Sequence, residues 1–124
     1  MFESAALVAF VPVSDLARAR SFYEGTLGLT VQDADEFGAL LNSHGTPVRL
    51  AVVDEHTPAT FTTLGWVVPS IEEAVRALDG RGVVLHHYDG MGQDADGIWT
   101  APSGSRVAWF SDSEGNTLSV TQLY

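Results

Sequence analysis

The chain has 124 residues, the size of one compact domain, and its 45% hydrophobic and 18% charged content is that of a chain with a buried core, not a disordered one. Asp plus Glu outnumber Lys plus Arg by 16 to 6, and a net charge of −10 repels phosphate backbones and anionic lipid, which argues against nucleic acid or a charged membrane as partner. The absence of cysteine excludes disulfide frameworks, thiolate nucleophiles and zinc ribbons.

The opening residues Met1 to Ser4 lack the basic stretch of a signal peptide, and the apolar run Ala5 to Val13 is too short to span a bilayer, so a cytoplasmic protein is expected. That run, rich in Val and Phe, reads as a buried strand. Ser14 and Asp15 cap a helix carrying Leu16, Ala19, Phe22 and Tyr23 at helical spacing, with Gly25 and Gly28 at its end. Leu29 to Asp35, Phe37 to Ser43 and Val48 to Val53 read as three strands. The segment Asp54 to Thr60 is polar, has no periodicity and contains Pro58, as a linker does.

The plan then repeats. Thr62 to Val68 is a strand, and Ser70 with Glu73 three residues on forms a capping box for a helix buried along Ile71, Ala74, Val75 and Leu78. Gly80 and Gly82 end it, Val83 to Tyr88 reads as a strand, and Asp89 to Gly97 as a Gly/Asp-rich, solvated lid. Arg106 to Ser111 and Thr117 to Gln122 are strands joined by a turn. Val13-Ser14-Asp15-Leu16 matches Val68-Pro69-Ser70-Ile71 at an offset of 55, an internal repeat of strand, helix and three strands. One such half covers only one sheet face and must pair to bury the rest.

Val13-Ser14-Asp15-Leu16 through Ser21-Phe22-Tyr23 to Leu27-Gly28-Leu29, Gly82-Val83, and Val107 to Asp112 through Gly115-Asn116 together resemble the vicinal oxygen chelate superfamily. That superfamily includes glyoxalase I, bleomycin-resistance proteins and extradiol dioxygenases, and the resemblance covers essentially the whole chain. It implies an α+β fold with two paired βαβββ modules forming a U-shaped cleft of mixed β-sheet, often as a homodimer. Residues 1–124 then form one domain, with module 1 at about 5–53, a linker at 54–61 and module 2 at about 62–122. No single reaction is implied, because one fold hosts many chemistries.

Metal-dependent relatives place His or Gln, and Glu, on cleft-facing strand positions. Carried over, those positions are Val8, Thr63, Ser119 and one residue of the strand Val48 to Val53. Alternation turns Val48, Leu50 and Val52 toward the helix and Arg49 toward the cleft, although a one-residue slip would place Leu50 there. Val and Leu have no donor atom, Arg is a permanent cation, and a lone Thr or Ser ligates a divalent ion poorly. No metal or other cofactor is expected.

Arg49 reads either as a clamp for a carboxylate, phosphate or enolate oxygen, or as a solvated cation paired with a nearby acid. His86 and Tyr88 share a strand face, with His87 opposite. They are the candidate general base and hydrogen-bond donor, or else they simply line the rim. Trp99 and Trp109 suggest aromatic walls, with core packing the alternative for Trp109, while Phe10 suits the cleft floor and Trp66 the core. His44 and His56 fall in turns and are expected to be exposed. Asp89, Asp94 and Asp96 do not follow the spacing of a calcium loop.

The leading expectation is therefore a metal-independent protein that binds a small organic molecule, xenobiotic or antibiotic-like, as the drug-sequestering branch of the superfamily does. Phe10, Arg49, Thr63, Tyr88, Trp99, Trp109 and Ser119 would line the site. The alternative is a cofactor-independent isomerase, lyase or hydrolase using Arg49 with His86 or Tyr88. A glyoxalase-like metalloenzyme with displaced ligands is the third reading.

Overall fold

The structure, a computed structural model, describes residues 1–124. It divides into two compact units, Met1–Thr57 and Pro58–Tyr124. Each is α+β, with a four-stranded mixed sheet and a helix on one face.

In the first unit, β1 (Ala9–Val13) leads through Asp15 into α1 (Leu16–Arg20). The Asp15 carboxylate accepts the Arg18 backbone N–H at 3.1 Å, which satisfies a donor that the first helical turn leaves free. The helix runs on as a π-helical turn, Ser21–Thr26, which buries Tyr23 completely. β2 (Thr30–Asp35), β3 (Gly38–Ser43) and β4 (Thr46–Val52) complete the unit in the spatial order β1-β4-β3-β2.

β1 is shorter than the apolar run Ala5 to Val13 suggests. It pairs in parallel with β4 from Ala9 opposite Val48. The next step would set Val8 against Pro47, which has no N–H to donate, and Val8 is left 41% exposed. Val11, Val13, Val48, Leu50, Ala39 and Leu41 are buried on the helix side of the sheet. A side chain at Gly38 would drive a Cβ to 2.2 Å from the Leu50 carbonyl oxygen, so only glycine lets β3 lie against β4 there.

In the second unit, β5 (Thr62–Val67) precedes α2 (Ile71–Gly80), and the Ser70 hydroxyl accepts the Glu73 N–H at 3.3 Å. Ile71, Val75 and Leu78 form the buried stripe. The side-chain oxygen of Gln122 accepts the Ile71 N–H at 2.9 Å, and Arg106 pairs with Glu72, so the start of α2 is tied to the end of the sheet where Arg106 and Gln122 stand opposite each other. The sheet runs β5-β8-β7-β6, from β6 (Trp99–Thr100), β7 (Arg106–Ser111) and β8 (Thr117–Gln122).

Here one expected element is missing. Val83 to Tyr88 forms no ladder, and its one backbone-to-backbone bond to the sheet is the His86 N–H to the Trp109 carbonyl at 2.8 Å. Gln93 has taken the backbone groups that a neighbouring strand would use. Its amide oxygen accepts the Tyr88 N–H at 2.6 Å, and its nitrogen donates to the His86 carbonyl at 2.9 Å and the Gly97 carbonyl at 2.8 Å. The two-residue β6 takes the other part of the β7 edge, opposite Val107 and Arg106. The segment Asp89 to Gly97 is likewise no free lid. Asp94 accepts the N–H groups of Asp96 and Ile98, each at 2.9 Å, and Gly97 and Ile98 are buried.

Candidate functional site

The register of β7 and β8 fixes which side chains share a face. Leu118 opposes Phe110 and Val120 opposes Ala108; all four are buried on the helix side, where Trp66 joins the Val120 row half-buried. The alternate row, Trp109 opposite Ser119 and Ser119 opposite Gly65, therefore occupies the other, open face, together with Ser111, Thr117, Val107 and Trp99. Trp109 is thus a surface residue of the site, half-exposed, and core packing is overturned for it.

Trp99 and Trp109 lie with ring centroids 6.1 Å apart at an interplanar angle of 37°. Tyr88 meets Trp109 edge to face at 5.8 Å and 76°. These are favourable aromatic geometries, and together they make a continuous wall. A ring inserted between the two indoles would need about 7 Å of plane separation, twice the ~3.5 Å of carbon contact. The gap between the two indoles is therefore too narrow for a planar ring, and the wall offers its outer surface only.

Beside the wall stands His86, half-buried. Its Nδ1 is 2.8 Å from the Tyr88 hydroxyl and its Nε2 is 2.8 Å from the Ser111 hydroxyl. Burial lowers its pKa below the ordinary imidazole value, so the ring is neutral at pH 7. His86 and Tyr88 do come together, but through the Gln93 clamp and not through strand alternation. Ser111 is the residue that the sequence reading missed. Its signal was present, since it lies two positions after Trp109 and so on the same face. His87 points away and lines a concavity of about 410 Å³ beside α2, with Glu72, Arg76, Asp79 and Asp96 at its charged, solvent-facing border.

Ser119 is 7% exposed, and a Cβ at Gly65 would meet its hydroxyl at 2.7 Å. Thr63 is not its cross-strand partner. Thr62 pairs with Thr117 and Leu64 with Leu118, which leaves Thr63 as the extra residue of a β-bulge.

The first unit carries Arg49 with its cross-strand partners Phe10 and Leu40 on the face opposite Leu50. Leu50 is fully buried, so the one-residue slip does not occur. Phe10 is 62% exposed. Arg49 is half-buried, and its guanidinium makes no ion pair or hydrogen bond and extends over Gly38, where the missing side chain leaves it room. Its pairing with an acid is overturned. His56 is not fully exposed as its turn position suggested. It is half-buried, with Nε2 buried and unpartnered.

The metal positions fail on donor chemistry. Val8 and Leu50 offer no donor atom, Arg49 brings a positive charge, and Thr63 and Ser119 bring lone hydroxyls. No three His, Asp or Glu side chains converge on one point anywhere in the chain. The residues present do not fit a divalent ion.

Among solved structures, the chain is similar to a glyoxalase/bleomycin resistance protein/dioxygenase superfamily member from Sphaerobacter thermophilus. They are 26% identical over 98% of this chain and 99% of that one, with a TM-score of 0.75. A glyoxalase family protein from Enterococcus faecalis matches with TM-score 0.78 at 16% identity, over 98% and 99% of the two chains. A lactoylglutathione lyase from Agrobacterium tumefaciens matches at 0.74 and 15%, over 96% and 93%. No curated protein matches in sequence. The family model described as Glyoxalase/Bleomycin resistance protein/Dioxygenase superfamily spans residues 5–120, and with the two sheet-and-helix units it establishes that the chain belongs to this superfamily, the vicinal oxygen chelate proteins.

Proposed function

We propose that the protein binds a small, flat organic molecule, xenobiotic or antibiotic-like, without a metal ion. The observation that carries this reading is the half-exposed aromatic wall of Trp99, Trp109 and Tyr88 on the open face of the second unit, beside a neutral histidine. Aromatic side chains present a large apolar surface that loses little conformational freedom on binding. The donor-poor set Val8, Thr63 and Ser119 supports metal independence. On the first unit, Phe10 and the unpaired Arg49 offer an apolar contact and a charge-assisted donor to a carbonyl or anionic group. We further infer a cytoplasmic homodimer, in which a second copy completes the exposed sheet edges; no helix is long and apolar enough to cross a membrane.

Calorimetric titration with a panel of fused-ring compounds tests the binding reading, with elemental analysis of the purified protein beside it. Binding is expected in metal-stripped protein and is lost in Trp109→Ala. A tightly held stoichiometric metal, needed for binding, would reject it.

A second reading, a cofactor-independent isomerase, lyase or hydrolase, is favoured by one observation, a histidine hydrogen-bonded to two hydroxyls. Metal-free turnover abolished by His86→Gln separates it from binding alone.

A further inference from the structure

We propose that the hydrogen-bonded chain Tyr88–His86–Ser111 is the specificity element of this face, and that it selects a flat, uncharged heteroaromatic carrying one hydrogen-bond donor and one acceptor across its ring. The inference rests on Trp99 and Trp109 being the platform of the proposed function.

A neutral imidazole has one N–H and one lone pair, on different nitrogens. Two arrangements of the chain are therefore possible. In one, the Tyr88 hydroxyl donates to Nδ1, Nε2 donates to Ser111, and the Ser111 O–H is free. In the other, Ser111 donates to Nε2, Nδ1 donates to Tyr88, and the phenol O–H is free. Each arrangement presents one outward donor, at one end only, and a lone pair at either end, so what it discriminates against is a ligand with two acceptors. While the ring is neutral, the chain never presents two outward donors.

The other polar groups of the segment are already occupied. The Tyr88 N–H and the His86 carbonyl go to Gln93, and the His86 N–H goes to Trp109. Along the Tyr88–His86–Ser111 chain the two hydroxyls are what remains for a ligand, beside the indole N–H donors of Trp99 and Trp109. Both flank the indole platform: Ser111 lies two residues along β7 from Trp109, and the Tyr88 ring touches Trp109 edge-on. The chain itself includes no charged group, so it matches an uncharged partner. A ligand with two acceptors would set a lone pair against a lone pair at one end, and a ligand with no polar atom would strip water from both hydroxyls without replacing it.

The test is calorimetric titration of the full-length protein at pH 8 with 4-quinolone, 1,4-naphthoquinone and naphthalene. These have nearly the same outline and carry one donor with one acceptor, two acceptors, and neither. The chain has no cysteine thiol to add to the quinone. The expected result is 4-quinolone binding about tenfold tighter than the other two, the worth of about one hydrogen bond. That preference should vanish in Tyr88→Phe and Ser111→Ala, and survive in Ser111→Thr, which keeps the hydroxyl. Nitrogen-15 spectra of the His86 ring should show one tautomer on binding. Equal affinity for all three compounds, or a preference unmoved by Tyr88→Phe and Ser111→Ala, overturns the inference and leaves the platform standing. No binding of any of them overturns both.

Discussion

Gly65 and Ser119 face each other across the β5–β8 ladder so closely that the serine hydroxyl fills the volume a side chain at 65 would need: a Cβ there would lie 2.7 Å from it. The hydroxyl would have to rotate away within a residue that is only 7% exposed. Gly65→Ala should therefore cost about 1 kcal/mol through an off-rotamer Ser119. Adding Ser119→Ala should recover most of that cost. Urea denaturation of the two single variants and the double variant measures the coupling, and additive losses would show that the two residues do not compete for space.

Gln93 holds both ends of the His86–Tyr88 segment by its side chain alone. Gln93→Ala removes three hydrogen bonds to backbone groups. A stability loss of about 1–3 kcal/mol is expected, together with faster amide exchange at Tyr88. If aromatic compounds bind this face, their affinity should drop several-fold in the variant. Protection at Tyr88 equal to wild type would mean that the amide side chain is not its anchor.

Arg49 lies unpaired over Gly38, so its loss breaks no ion pair. Arg49→Met keeps the stem and removes the charge, and the melting temperature should stay within a degree or two. Affinity for a carboxylate or carbonyl ligand of the first unit's open face should fall by about 1.5–3 kcal/mol, the worth of a charge-assisted hydrogen bond. A large drop in melting temperature would reveal a structural partner for the guanidinium.

Burial is the cause of the lowered His86 pKa; its contacts are the neutral Tyr88 phenol, the Ser111 hydroxyl and the Trp109 backbone. The unfolded chain therefore takes up this proton at a higher pH than the folded one. His86 favours the folded state above the ordinary imidazole range, and that advantage is lost as pH falls through this range toward its own lower value. Melting temperature should thus fall more steeply between pH 7 and 5 in wild type than in His86→Gln. Parallel curves would remove His86 from the acid response. Over the same interval a protonated ring donates from both nitrogens, so 1,4-naphthoquinone should gain on 4-quinolone.

The frame of this protein was legible in its sequence because each element announces itself locally. Asp15 and Ser70 cap their helices as expected, and alternation in Val48-Arg49-Leu50 set the buried and open faces of β4. The unlegible parts are those decided by a distant group. Val83 to Tyr88 has the composition of a strand, yet the Tyr88 N–H and the His86 carbonyl are taken by one amide five to seven residues downstream. Alternation from Trp109 marks the face of Ser111, but only the arrival of His86, 25 residues away in sequence, makes it part of a site. Thr63 was displaced by a bulge, which strand composition does not disclose.

The divided edge of β7 separates what this unit must keep from what it can change. Half of the aromatic wall hangs from a stretch of chain pinned at His86 and at Trp99, and everything between is held by its own side chains and backbone, not by the sheet. Lengthening or shortening that stretch would shift Tyr88 against Trp109 without touching the ladder beneath. A lineage could retune its ligand there as one recuts a key, leaving the bow and shank as they were.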